Sequence, residues 1–123
     1  PDMRLPIQLA LAYPERLPTG IEQLDLAELR SLTFEPVDRE SFPALDLAYR
    51  AGRLGETYPA AMSAANEVAV EAFLDGAVRL IDIPEIAARV LDEHEPAPVV
   101  SVVSLERADA WARNRATELI ESL

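Results

Sequence analysis

Between residues 64 and 75, apolar and polar residues recur with the period of an α-helix. One face of this helix carries Ala65, Val68, Ala69, Ala72 and Phe73, and a second face carries Val70 and Leu74. Only a narrow polar strip is left for solvent, formed by Asn66, Glu67, Glu71 and Asp75. We therefore predict a central helix packed between neighbours, with Phe73 near the middle of the core. Ser63 is its predicted N-cap and Gly76 its predicted C-terminal glycine.

Three more helices are predicted on either side of this central helix. Ser41 caps the first, whose apolar stripe is Phe42, Leu45, Ala48 and Tyr49. Asp82 opens the third, with the stripe Ile83, Ile86, Ala87, Val90 and Leu91. After an extended run over 99–103, Ser104 caps the last helix, with the stripe Leu105, Ala108, Trp111 or Ala112, Ala116, Leu119, Ile120 and Leu123. Short connections between four such helices predict an up-and-down four-helix bundle.

The first third of the chain is different, because prolines at 1, 6, 14 and 18 divide it into short pieces. One short helix fits between Pro6 and Pro14, and Asp25 caps a further turn of helix. No long amphipathic element is present, so we expect this third to pack on another domain. Outside that context its apolar side chains should be exposed, namely Leu9, Leu11, Leu26 and Leu29.

Composition narrows the functional classes. The 123 residues carry a formal charge of −11, from 22 acidic residues and 11 basic residues that are all arginine. An acidic surface repels phosphate backbones and anionic headgroups, which disfavours nucleic-acid and membrane partners. The chain has no cysteine, and its first residue is Pro1, within a proline-interrupted motif. We interpret it as part of a longer protein.

Few residues indicate chemistry. The four glycines fit linkers or helix ends, so no glycine-rich loop is left to bind a phosphate. The single histidine, His94, is predicted at an acidic, frayed helix end, where the helix dipole and neighbouring carboxylates favour its charged form. Glu67, Glu71 and Asp75 follow a helical spacing that fits either a cation site or a solvated strip, and the solvated strip is favoured. Asn66 fits a capping residue at N3 or a contact with a neighbouring segment.

Four separate motifs nevertheless occur in a recognisable order. They are Pro1-Asp2-Met3-Arg4-x-Pro6-Ile7, Leu32-Thr33-Phe34-Glu35-Pro36, Phe42-Pro43-Ala44-Leu45-Asp46-Leu47-Ala48-Tyr49, and Ala64-Ala65-Asn66-Glu67-Val68-Ala69-Val70-Glu71-Ala72-Phe73-Leu74. Together they resemble the C-terminal part of the 1-deoxy-D-xylulose 5-phosphate (DXP) reductoisomerase family. The resemblance covers nearly the whole chain.

The resemblance implies an all-α fold, a four-helix bundle preceded by a proline-rich linker and a short remnant of the central α/β domain. It places the end of the central catalytic domain at 1–13, the linker at 14–38 and the C-terminal bundle at 39–123. It implies a fragment of a cytoplasmic NADPH-dependent oxidoreductase that makes 2-C-methyl-D-erythritol 4-phosphate for isoprenoid biosynthesis. The fragment itself would be structural and inactive.

The same resemblance implies that NADPH and a divalent metal (Mg or Mn) bind upstream, in domains of the same chain, and that the intact enzyme is a homodimer. No catalytic, cofactor-binding or metal-binding residue can be carried over to this chain. Only Pro1 and Met3 correspond to a wall of the substrate pocket. The alternative is an independent helical interaction or adaptor module, which would expose an apolar groove on a self-contained bundle.

Overall fold

The computed structural model describes residues 2–22 and 24–123, and within these ranges it contains six helices and no strand. The predicted all-α class is confirmed. The chain divides into two compact units, residues 1–36 and residues 37–123. No helix of the described ranges is both long enough and apolar enough to cross a membrane.

The first unit contains two short helices, α1 (Arg4–Ala12) and α2 (Leu26–Leu29). The predicted cap of α2 is confirmed, because the Asp25 carboxylate accepts hydrogen bonds from the backbone N–H groups of Ala27 (2.7 Å) and Glu28 (3.3 Å). Neither helix contains a buried residue. The four leucines that we expected to be exposed are exposed, with exposed fractions that range from 37% for Leu9 to 85% for Leu11.

The second unit contains α3 (Ala44–Leu54), α4 (Tyr58–Leu74), α5 (Asp82–Glu93) and α6 (Val102–Glu121). Helix α4 contacts each of the other three helices, as expected for the central element. It begins at Tyr58 rather than after Ser63, because the preceding apolar residues continue the helix and Pro59 is tolerated in its first turn. The predictions of Ser63 as N-cap and Asn66 as a capping residue are therefore wrong. The predicted end is confirmed, since Gly76 has a φ of +75°.

The core of this unit is built from small side chains on α4 and α6 and from branched aliphatic side chains on α5. Helix α5 buries all five residues of its predicted stripe. Helix α4 buries Ala61, Ala64, Ala65 and Ala69, and α6 buries Ala108, Ala112, Ala116 and Leu119. Alanine on both helices lets their backbones approach closely. Larger residues of the predicted α4 faces lie further out, since Phe73 is only partly buried and Leu74 is 75% exposed.

The predicted starts of α5 and α6 and part of the predicted face of α6 differ from the structure. Asp82 is the first helical residue of α5 rather than its cap, and Arg79 binds its carboxylate. Helix α6 begins at Val102, inside the run predicted to be extended, and Ser101 rather than Ser104 is its N-cap. Trp111 and Leu123 of its predicted stripe are exposed, at 37% and 71%.

Helix α3 is rotated relative to its predicted face. Its buried residue is Ala51, and Leu47 packs against the core. The predicted stripe is therefore largely solvent-facing, with Phe42 67% and Tyr49 50% exposed. The helix begins at Ala44 after Pro43 instead of at Ser41, and Gly55, with a φ of +69°, is its C-cap. Its contacts with α4 and α5 are made by the face that carries Leu47 and Ala51, so the stripe remains as a shallow apolar groove lined by Leu45, Ala48, Tyr49, Gly52 and Arg53.

Candidate functional site

The turn before α1 is the place where sequence reasoning put the substrate-pocket wall. Pro1 lies outside the described residues. Asp2 and Arg4 fix the turn, because the Asp2 carboxylate accepts from the Arg4 backbone N–H (2.9 Å), from its Nε (3.0 Å) and from its Nη2 (2.6 Å). The Arg4 side-chain hydrogen bonds, followed by that of its backbone N–H, lower the pKa of the Asp2 carboxyl.

Met3 stands between these two charged residues and is 70% exposed. Its thioether is flexible and polarizable, so it suits a surface that adapts to a neighbouring group. The two charges beside it are already paired with each other. The turn therefore presents one exposed apolar side chain beside a hydrogen-bonded ion pair.

The second candidate site is a cavity of about 470 Å³ beside the C-terminal end of α5. Its lining includes Thr57, His94, Glu95, Arg107 and Trp111. His94 Nε2 lies 2.8 Å from Thr57 Oγ1, and the same oxygen accepts from the Ala97 backbone N–H at 3.1 Å. The imidazole ring is also in edge contact with Tyr58 (centroids 5.2 Å apart) and tilted against Trp111 (5.1 Å).

This environment corrects the prediction for His94. The residue is the C-cap of α5, as its sequence position indicates, but it is only 8% exposed and belongs to no frayed end. Burial lowers the pKa of its imidazole, which favours the neutral form rather than the charged one. The acidic neighbours in sequence gave no indication of this, because the enclosing groups are distant: Thr57 directly precedes α4 and Trp111 belongs to α6.

The acidic strip of α4 is solvated, as favoured from the sequence. Glu67 pairs with Arg113 of α6, which also binds Asp109. Within the described residues no three His, Asp or Glu side chains are arranged to hold a metal ion. Asn66 is exposed in the middle of α4.

Comparison with known proteins assigns the chain to a family. The model of the DXP reductoisomerase C-terminal domain matches residues 1–115. The chain belongs to this family. It is 54% identical over 122 residues to the 1-deoxy-D-xylulose 5-phosphate reductoisomerase of Moorella thermoacetica, covering 99% of this chain and 32% of the relative. The enzyme of Pelotomaculum thermopropionicum is 50% identical over 123 residues, again covering 32% of the relative.

Solved reductoisomerase structures agree with this assignment to the DXP reductoisomerase family. The enzyme from Zymomonas mobilis, in complex with NADPH, superimposes with a TM-score of 0.91 at 46% identity, covering the whole of this chain and 32% of that one. A reductoisomerase in complex with NADPH, fosmidomycin and magnesium gives 0.85 at 39% identity, covering 98% of this chain and 32% of that one. The chain thus spans about a third of the length of the relatives it matches.

Proposed function

We propose that the chain is the C-terminal part of an NADPH-dependent reductoisomerase that converts 1-deoxy-D-xylulose 5-phosphate to 2-C-methyl-D-erythritol 4-phosphate, and that this part is structural. The observation that carries the proposal is the family match over residues 1–115, at about half identity to enzymes three times as long. In the intact enzyme the cofactors are NADPH and a divalent metal ion, held by upstream domains of the same chain. The intact enzyme is a cytoplasmic homodimer.

Exposed apolar surface supports a docking role. In the first unit Leu11 and Leu26 are 85% and 70% exposed, and neither α1 nor α2 buries a residue. Leaving large aliphatic side chains in water forgoes roughly 1.5–3 kcal/mol each relative to burial. A stretch with this many exposed leucines is expected to gain its stability against another domain. Docking on another domain agrees with the proposed division of the chain, in which residues 1–13 end the catalytic domain and residues 14–38 form the linker.

At the turn before α1, we assign Met3, together with Pro1, to the wall of the substrate pocket. The support in the described residues is the exposure of Met3 on the turn fixed by Asp2 and Arg4. The residues contribute shape and exclude water, and no proton transfer is assigned to them.

An independent adaptor module is the competing function, and the exposed apolar stripe of α3 is the feature in its favour. The same stripe equally suits a contact with another domain of one enzyme. Family membership over nearly the whole chain favours the reductoisomerase.

A chimera tests the proposed function. This chain would replace the matching last third of the Moorella thermoacetica relative, and substrate-dependent NADPH oxidation would be followed in the presence of Mg²⁺. We expect turnover in the chimera and none in a variant truncated before the replaced segment. A soluble, folded chimera that binds NADPH but does not turn over would contradict the proposal.

A further inference from the structure

We propose that Thr57, His94 and Ala97 form an acid-sensitive latch, which fastens the connection after α5 to the start of α4 while the imidazole is neutral and loosens when it is protonated. The three residues belong to segments that meet only in the folded unit, since Thr57 precedes α4 and His94 and Ala97 follow α5. This inference concerns the stability of the helical unit and is independent of the catalytic assignment.

The hydrogen-bond roles follow from the Thr57 hydroxyl. Its oxygen accepts from the Ala97 N–H, and its only hydrogen has His94 Nε2 as the acceptor within the described residues. The arrangement that satisfies every group therefore has Nε2 as acceptor and the ring proton on Nδ1. No fully buried side-chain nitrogen or oxygen of the described residues lacks a partner, which is consistent with Nδ1 reaching solvent.

Protonation reverses the role of Nε2. The protonated Nε2 carries a hydrogen that points at the hydroxyl hydrogen of Thr57. The hydroxyl group must therefore rotate, so that its hydrogen points away from the ring. Thr57 is 0% exposed, so water cannot accept the displaced hydroxyl hydrogen. The buried hydroxyl is left without an acceptor, and the imidazolium is enclosed at 8% exposure.

Charged groups of both signs lie near the ring. Glu93 and Glu95 flank His94 in the chain and line the same cavity, and Glu93 is bound by Arg115 of α6. Arg107 of α6 lines the same cavity with a positive charge. The aromatic side chains in contact with the ring are Tyr58 of α4 and Trp111 of α6. Burial of the ring lowers the His94 pKa.

The sign of the pH effect follows from this lowered pKa. The unfolded chain binds a proton at His94 at higher pH than the folded chain does, so stability rises with pH in this range. The contribution is complete above the unfolded value of about 6.5 and is lost as the pH falls through the folded value. The chain has a single histidine, so the imidazole signal reports on His94 alone.

The direct test is proton NMR of the 123-residue chain between about pH 8 and about pH 5. The single imidazole is expected to titrate below its ordinary value of about 6.5, and the Ala97 amide to lose exchange protection by about tenfold with the same midpoint. The amide of Ala116, buried in α6, is the internal control and should stay protected. An imidazole titrating at or above about 6.5, or Ala97 protection unchanged through the titration, would overturn the latch.

Two substitutions at Thr57 distinguish the hydrogen bonds of its hydroxyl group from the packing of its side chain. Thr57→Val keeps the shape and removes the hydroxyl, so the Ala97 amide should be unprotected already at about pH 8. Thr57→Ser restores the hydroxyl and should restore the pH-dependent protection. If Thr57→Val kept Ala97 protected, or if Thr57→Ser failed to restore its pH dependence, the latch would be wrong. Should either variant fail to fold, the titration of the unsubstituted chain decides alone.

Discussion

Met3 is the residue of this chain that we expect to affect catalysis. Because its side chain is 70% exposed, Met3→Ala should change the free energy of unfolding by less than about 0.5 kcal/mol. In the chimera with the Moorella thermoacetica enzyme, the same substitution should lower kcat/KM by about fivefold or more, since it would remove the proposed wall of the substrate pocket. Steady-state kinetics and a denaturant melt measure the two effects.

Met3→Leu is the matched control, because it conserves the volume of the wall and should keep most of the activity. A Met3→Ala chimera with a lowered unfolding midpoint and unchanged kinetics would mean that Met3 is a structural residue.

At His94 the sequence prediction failed for a specific reason. Its neighbours Asp92, Glu93 and Glu95 indicated a solvated, charged helix end. The groups that enclose it are distant in sequence, with Thr57 37 residues away. Local sequence identified the C-terminal end of α5 but not the residues that pack over it. For Met3, the turn was expected only from the family resemblance, and the Asp2–Arg4 hydrogen bonds that fix it were not predicted from the sequence.

Helix α5 contributes Leu91, one of the two largest fully buried side chains among the described residues. Leu91→Ala should lower the free energy of unfolding by roughly 2–5 kcal/mol, because the side chain is 1% exposed and its removal leaves a cavity. Leu74→Ala is the matched control on α4, where the side chain is 75% exposed and the expected change is within about 0.5 kcal/mol. Equal urea midpoints for the two variants would contradict the assigned faces.

The contact between the alanines of α4 and α6 can be tested by enlarging a side chain instead of truncating one. Ala112 is 0% exposed, so Ala112→Leu should overpack the contact and destabilise the unit by roughly 1–3 kcal/mol. Ala110→Leu, two residues earlier on the exposed side of α6, should be nearly neutral. Thermal melts compare them, and a destabilising Ala110→Leu with a neutral Ala112→Leu would reverse the orientation of α6.

These helices also show which sequence signals are reliable. The α5 stripe was predicted residue by residue, because branched aliphatic residues stand on one side and charged residues on the other. In α3, apolar residues occur on two adjacent faces, and the sequence alone could not tell which of them faces the core. In α4 the start was misplaced because alanine, methionine and serine are helix-compatible and give no sharp boundary.

At the scale of the whole molecule, the four helices of the second unit and the poorly packed first unit were both accessible from the sequence. The reason is that proline spacing and helical periodicity are local signals. Whether residues 14–38 act as a linker, and whether the exposed stripe of α3 docks on another domain, depend on chain outside these 123 residues. Both stay predictions.

The central claim is that this chain completes a reductoisomerase without supplying its cofactor site, and calorimetric titration with NADPH tests it most directly. The chain alone and the chimera with the Moorella thermoacetica enzyme would be titrated side by side, at NADPH concentrations up to about millimolar. We expect a stoichiometric isotherm for the chimera and no specific heat for the isolated chain. A stoichiometric isotherm for the isolated chain would contradict the claim.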